Sequence, residues 1–254
     1  MKVTFLGTGT SQGVPVIGCT CEVCRSVDFR DKRLRTSILI DISGRNFVID
    51  TGPDFRQQML REQVRRIDAV IFTHAHRDHT AGLDDVRAYN FMQEMDMPVY
   101  GTKNVLEQLK VEYAYAFGSE FYPGIPRLSL NEIDGEAFTV NGISFLPLPV
   151  MHLKMPVLGF RVGNFSYITD ANYIPPATIE RLKGTEILVL NALQREQHVS
   201  HFNLSEALQM VETINPRQTY FTHVSHKLGL HADVEKELPD RVSLAFDGLQ
   251  IGDR

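Results

Sequence analysis

The chain has 254 residues, 43% of them hydrophobic, and a formal net charge of −5 from 26 basic and 31 acidic side chains. That composition supports a sizeable core in a single globular domain, and the acidic balance without any charge run argues against a nucleic-acid tail. Every apolar run falls short of the ~18 residues that span a membrane, and the N-terminal one is too short for a secretion signal.

Residues 2–6 read as a first strand. The loop after it contains Gly18-Cys19-Thr20-Cys21-Glu22-Val23-Cys24, which holds all three cysteines of the chain. Three thiolates this close need one more ligand to close a tetrahedral zinc site, and an odd number argues against a disulfide. Clustered thiols with no leader point to a reducing, cytoplasmic location. The basic stretches Arg30 to Arg35 and Arg61 to Arg66 read as ordinary solvated surface. Strands are expected at 36–42 and 46–50, joined by a turn through Ser43-Gly44. Asp50 ends the second of these and is read as a carboxylate that orients a ligand histidine, with a simple turn aspartate as the competing reading. A helix follows at 53–65.

The strand at 69–73 runs into His74-Ala75-His76-Arg77-Asp78-His79, four potential metal ligands in six residues. Imidazoles with a carboxylate suit zinc, and also manganese or iron. A strand-to-helix loop is where a rigid scaffold lets such side chains converge, and a helix is expected over 82–93. A strand at 98–100 and a helix at 102–117 come next. Strands at 137–140 and 143–149 flank Asn141-Gly142, a hairpin signal. Further strands are expected at 157–162, 165–169, 186–190, 218–222 and 242–246, with helices at 175–183 and 203–214. The last helix opens with Asn203 and has Glu206 three positions on, a capping pair.

Three later strands each end on a ligand: His152, Asp170 and His223. Phe72-Thr73-His74 and Phe221-Thr222-His223 share a tripeptide, which hints at two similar halves. His226, three residues past His223, is the available fourth ligand for the cysteines. His198 and His231 read as ordinary surface residues, and Asp247 as a weaker candidate than Asp50 for orienting a ligand.

With its His-x-His-x-Asp-His motif and the single His, Asp and His ligands downstream, the chain resembles the metallo-β-lactamase-fold hydrolases. The resemblance runs from Leu6-Gly7-Thr8-Gly9-Thr10 to Phe246-Asp247-Gly248. It implies an α/β protein with a four-layer αββα sandwich, one domain over 1–254 made of two similar halves. It implies one metal on His74, His76 and His152, a second on Asp78, His79 and His223, and Asp170 bridging both. The Gly-Cys-x-Cys-x-x-Cys loop joined with Thr222-His223-Val224-Ser225-His226 is similar to the PhnP-like branch, whose members open phosphoribosyl 1,2-cyclic phosphate in the carbon–phosphorus lyase pathway. In that branch the positions of Cys19, Cys21, Cys24 and His226 bind a structural zinc.

The chemistry so implied is phosphodiester hydrolysis by a hydroxide shared between two divalent metals, zinc or manganese with iron as an option. Asp78 and His201 are the catalytic side chains. His201 is placed to serve the departing oxygen, just ahead of a helix N-terminus that favours an anionic phosphate. The expected partner is a small phosphorylated substrate, with neither nucleic acid nor membrane, and a homodimer is a candidate assembly. Three other functions compete: transfer-RNA 3′ processing, thioester or lactone hydrolysis (or iron oxidation) on the same fold, and a non-catalytic zinc module. The acidic balance counts against the first, and the complete ligand set against the last.

Overall fold

In a computed structural model, residues 1–118 and 124–252 are described. The chain divides into two compact units. Unit 1 comprises Met1–Leu6, Ser37–Asp134 and Gly248–Arg254, and unit 2 comprises Gly7–Thr36 and Gly135–Asp247. Each carries one seven-stranded sheet. Mixed α/β structure built on two large sheets is the expected fold class.

The unit 1 sheet contains β1 (Lys2–Gly7), β2 (Ser37–Ile42), β3 (Arg45–Ile49), β4 (Ala69–Ile71), β5 (Met97–Gly101), β6 (Leu128–Glu132) and, from the far end of the chain, β14 (Gln250–Gly252). Their order across the sheet is β14-β1-β2-β3-β4-β5-β6. The unit 2 sheet contains β7 (Phe138–Val140), β8 (Ile143–His152), β9 (Met155–Val162), β10 (Phe165–Ile168), β11 (Ile187–Asn191), β12 (Gln218–Thr222) and β13 (Val242–Leu244), in the order β13-β12-β11-β10-β9-β8-β7. The α-helices are α1 (Glu22–Arg25), α2 (Phe55–Arg61), α3 (Arg77–Thr80), α4 (Arg87–Gln93), α5 (Lys103–Glu112), α6 (Pro176–Leu182), α7 (Leu204–Ile214) and α8 (His231–Glu237). Among the described residues, no helix is long and apolar enough to cross a membrane.

Local sequence explains most of this. Ser43-Gly44 and Asn141-Gly142 both take positive φ at their two central positions, and they close the β2–β3 and β7–β8 hairpins. Such turns match the twist of the strands they join. β10 and most of β3, β4 and β11 are buried at successive positions, as expected of sheet interiors covered on both faces. β8 tolerates Pro147 and Pro149 because β7 pairs only with Ile143–Phe145, so the prolines lie along an open edge. Side chains of α6 cover that edge: Thr178 donates to Pro149 O at 2.5 Å and Arg181 to Pro147 O at 2.9 Å.

Each unit has its own apolar core. Leu6, Val48, Phe55, Val70, Phe72 and Leu83 belong to the first, and Leu148, Ile168, Leu190, Val211 and Phe221 to the second. Burying one such side chain contributes roughly 2 kcal/mol, so Phe55→Ala costs about 3–5 kcal/mol including its cavity.

Several elements differ from the sequence reading. The helix expected at 82–93 is a 3₁₀ turn over Leu83–Val86 followed by α4, and the one at 102–117 ends at Glu112 before a 3₁₀ turn. β8 runs on to His152, which is its last residue. β6, β14, α1 and α8 were not expected. The basic stretches are largely structural: Arg33 is buried, Arg30 and Arg66 pair with Asp28 and Asp68, and Arg61 binds Leu6 O at 2.7 Å.

Candidate metal centre

In unit 1 the parallel strands β3 and β4 align Ile49 with Ile71, so both chains leave the sheet at the same level. β3 turns at Asp50, whose φ of 65° is left-handed. This turn aims its buried carboxylate at the next loop. Asp50 accepts from Thr73 N at 2.9 Å, Thr73 Oγ1 at 2.8 Å and His79 Nδ1 at 2.7 Å. Burial pushes the Asp50 carboxyl up, and His79 and the Thr73 donors oppose that shift. Of the two readings of Asp50, the structure supports the one in which it orients a histidine, His79, that is a candidate ligand.

The candidate ligands themselves do not all lie in a loop. His76 caps α3, and Asp78 and His79 sit on that helix. The ring centroids of His74 lie 4.6 Å from His76 and 4.2 Å from His79. Asp78 Oδ2 is 3.3 Å from His79 Nε2. Two devices that the motif does not reveal hold α3. Gly82 closes the turn after it so tightly that an added Cβ would sit 2.1 Å from Gly52 O. From the end of α5, Glu112 pairs with Arg77 at 2.9 Å and accepts from Thr80 Oγ1, while Tyr113, just after that helix, donates its hydroxyl to Thr80 O at 2.7 Å.

In unit 2 the candidate ligands come from separate strand ends. The parallel register pairs Ile168 with Leu190 and Leu190 with Phe221. Two residues further on, Asp170, Ala192 and His223 therefore leave the sheet at one level. Asp170 and His223 again have left-handed φ, 53° and 56°. His223 Nε2 lies 3.1 Å from Asp170 Oδ1. Asn191, which sequence reasoning missed, clamps the backbone beside Asp170. It accepts from Ala171 N and donates to Ala171 O, both at 2.9 Å.

His201 joins this group. Phe202 N donates to Ala171 O at 2.7 Å, and the Asn203–Glu206 capping box starts α7 directly after it. The His201 ring stacks on His223 at 4.7 Å and lies 4.5 Å from His152. Its Nδ1 is 3.8 Å from Asp170 Oδ1. Burial, reinforced by His223 and opposed by Asp170, holds its pKa down to about 2. A neutral imidazole carries one N–H.

The donor set fits a metal by tautomer. Thr73 Oγ1 donates to Asp50, so it receives the Nδ1–H of His74 at 2.9 Å. His79 gives its Nδ1–H to Asp50, and His152 gives its own to Ser200 O at 2.8 Å. Each of these three rings therefore carries its lone pair on Nε2, the state a divalent ion requires, with the outer hydrogen bond that orients a ligand.

The cysteines form a separate cluster within unit 2. Cys19, Cys21 and Cys24 Sγ lie 3.3, 3.3 and 3.5 Å from His226 Nδ1. A tetrahedral zinc with Zn–S ~2.3 Å and Zn–N ~2.0–2.1 Å requires an S···N edge of about 3.5 Å, so the set fits that ion. The Cys24 backbone N–H, aided by His226, lowers the Cys21 thiol to about 6, while burial raises Cys24 to about 11.

Two expectations need correction. His231 is 3% exposed, not a surface residue. It faces Arg33 at 3.1 Å, and its backbone N–H binds Asp31, so it anchors the start of α8 inside unit 2. Asp247 binds Thr8 Oγ1 and Leu34 N, both at 2.8 Å, so its carboxylate braces the N-terminal loop. His198 is partly buried, its ring 5.2 Å from His201.

Comparison with known proteins adds to this geometry. The model of the Beta-lactamase superfamily domain matches residues 45–224. The chain is 39% identical over 253 residues to the octanoyltransferase of Porphyromonas gingivalis, covering 98% of this chain and 51% of that protein. It is 25% identical over 216 residues to a ribonuclease Z of Mycobacterium sp. (strain KMS), covering 77% and 70%. A solved structure described as a new diphosphatase from the PhnP family superposes with a TM-score of 0.93 and 38% identity, covering 100% of this chain and 98% of the other. The chain spans about half the length of the first curated relatives it matches.

Proposed function

Because the chain belongs to the beta-lactamase superfamily and is a metal-dependent hydrolase, we propose that it cleaves a phosphodiester, cyclic in form, on a small ribose phosphate or nucleotide. The observation that carries the reading is the likeness, over both whole chains, to a PhnP-family diphosphatase, an enzyme whose electrophile is phosphorus. The ligand clusters of the two units supply the matching chemistry.

His74, His76 and His152 would hold one divalent ion, Asp78, His79 and His223 a second, and Asp170 both, with zinc or manganese the best suited and iron a further option. Such ions supply an activated water and neutralise charge growing on phosphoryl oxygens. The side chains do the rest. Asp50 and Thr73 fix the rings of His79 and His74, so no rotamer has to be found during the reaction. Asp78 presents its carboxylate from the first turn of α3. His201, neutral and buried beside Asp170, offers its N–H to the departing oxygen. An alanine at 201 therefore slows an alkyl leaving group more than a nitrophenolate, which leaves unaided. The cysteine–histidine cluster is a structural zinc site. The substrate is a small phosphorylated molecule, and the protein works in the cytoplasm.

The test is phosphorus NMR of the zinc- or manganese-loaded protein with phosphoribosyl 1,2-cyclic phosphate. Conversion to a ring-opened monoester, stopped by a chelator, is the expected result. No conversion with metal shown to be bound would discard the reading. The ribonuclease Z relatives would then direct the search to RNA 3′ ends, and thioesters would follow.

A further inference from the structure

Asn172 lies two residues past Asp170, where three segments of unit 2 meet. Its backbone N–H donates to Met151 O at 2.9 Å, and Met151 N donates to Tyr173 O at the same distance. Its side-chain Oδ1 accepts from Leu153 N at 2.7 Å. Its Nδ2 donates to Val199 O at 3.2 Å. Met151 and Leu153 are the chain neighbours of His152, so Asn172 grips that residue on both sides. Val199 precedes Ser200, whose carbonyl receives the Nδ1–H of His152 at 2.8 Å. One side-chain amide thus ties the backbone of a candidate ligand to the segment that carries the acceptor for its ring. At the far end of that segment Phe202 N donates to Ala171 O at 2.7 Å. Ala171 and Asn172 therefore pin the chain after and before His201.

These contacts matter because packing leaves both segments uncovered. Leu153 is 55% exposed and Val199 is 71% exposed. Apolar burial contributes little to fixing either. Leu153 also has a left-handed φ of 57°, a conformation that leucine rarely adopts. It sits in the turn that closes β8 onto β9, where His152 pairs with Met155. Relaxation of that turn would carry His152 with it, and the hydrogen bond from Leu153 N to Asn172 opposes it. The residue type is matched to the task. Oδ1 faces a donor and Nδ2 faces an acceptor, which a carboxamide satisfies at once. Aspartate would set a carboxylate against the Val199 carbonyl, and leucine would serve neither partner.

We infer that Asn172 is a positioning residue of the metal centre: it holds His152 in the orientation and tautomer that present Nε2 to an ion, and it fixes the segment that carries His201. Asp50 does this for His79 by binding the ring directly. Asn172 does it one step removed, by placing the Ser200 carbonyl. The inference rests on His152 being a ligand, and it holds whatever bond the enzyme cleaves. Partners of ligand rings are worth about 10–100-fold in metal affinity.

The experiment uses the full chain with Asn172→Ala, Asn172→Asp and Asn172→Gln. Nitrogen NMR of the metal-free protein at mildly alkaline pH reads the His152 tautomer, with His152→Gln to assign the signal. Competition with a chelating dye reads zinc affinity. The unmodified protein should show a single Nδ1–H tautomer. Asn172→Ala and Asn172→Asp should each give a mixture of tautomers and weaken zinc at this centre about ten-fold or more. Asn172→Gln, with both groups on a longer arm, should recover part of the loss. A single tautomer and unaltered zinc affinity in folded Asn172→Ala would overturn the inference, even with a lower melting temperature, because that is the signature of a purely structural amide. If Asn172→Ala does not fold, Asn172→Asp, which keeps the shape and the contact to Leu153, decides by the same two readouts. Neither readout requires turnover, so a failed phosphodiester assay would count against the phosphodiesterase reading alone.

Discussion

The two units assemble their candidate metal ligands in opposite ways. Unit 1 takes His74, His76, Asp78 and His79 from six consecutive residues, arranged by one short helix and one carboxylate, Asp50. Unit 2 takes His152, Asp170 and His223 from three strand ends more than seventy residues apart in all, arranged by the register of a sheet. The first arrangement is local and needs outside support: Gly82 against Gly52, and Glu112 at the end of α5 with Tyr113 just after it. The second is positioned by backbone pairing and needs only side-chain clamps such as Asn191. A local cluster should therefore fail one ligand at a time, whereas a cluster built on a sheet edge should fail when Asp170 or the neighbouring cysteine–histidine cluster is lost.

The sharpest break in that contrast is Asp170→Ala. Turnover should drop about 10³-fold, equivalent to ~4 kcal/mol of barrier, with metal content by mass spectrometry falling in step. Retained activity would remove Asp170 from the centre. Asp50→Asn is the local counterpart. It keeps shape but removes the acceptor for His79 Nδ1–H, so metal affinity should weaken about 10–100-fold while the melting temperature moves little. A large melting shift instead would make Asp50 mainly structural.

A smaller effect is expected from Cys21→Ser. One bound zinc should be lost and the melting temperature should fall by more than ~5 °C, because structural zinc contributes directly to folding. Hydrogen exchange should accelerate in unit 2 and leave α3 of unit 1 protected. Equal acceleration in both would end the distinction. The smallest effect concerns His231, which faces Arg33 with Arg30, Asp28 and Asp31 nearby. Burial, then Arg33, lowers its pKa from 6.5 to about 4. The unfolded chain therefore binds a proton below pH 6.5 that the native state refuses, and stability is lost as pH falls from about 6.5 toward 4. In His231→Gln, melting curves across that range should have a shallower pH slope.

The same contrast decides what could be read from the sequence. An Asn-Gly turn and an Asn203–Glu206 capping pair are local signals that appear where expected, whereas the six-residue His74–His79 motif, expected in a loop, has Asp78 and His79 on α3. Strand-end ligands were legible as a recurring pattern of apolar run, then ligand, but their convergence depends on strand order, which the sequence does not display. β6 escaped notice because it is half-exposed and ends in Asn131 and Glu132, and β14 because its three residues pair with β1 from the opposite end of the chain. His231 was misjudged because an isolated histidine near charged residues reads as solvated, while Arg33 and Asp31 bury it from elements two hundred positions away. The shared Phe-Thr-His tripeptide does not mark shared geometry, since His223 is left-handed and His74 is not.

The left-handed turns at Asp50, Asp170 and His223 also limit how this centre can be re-engineered. Side chains that accept that backbone are few: glycine, asparagine, aspartate and, less readily, histidine. A library that randomises position 170 or 223 is thus filtered first by conformational strain and only then by coordination chemistry. Glutamate at 170 would be handicapped by its backbone preference before its extra methylene mattered. Exchanges among Asp, Asn and His are the ones that would report ligand chemistry alone.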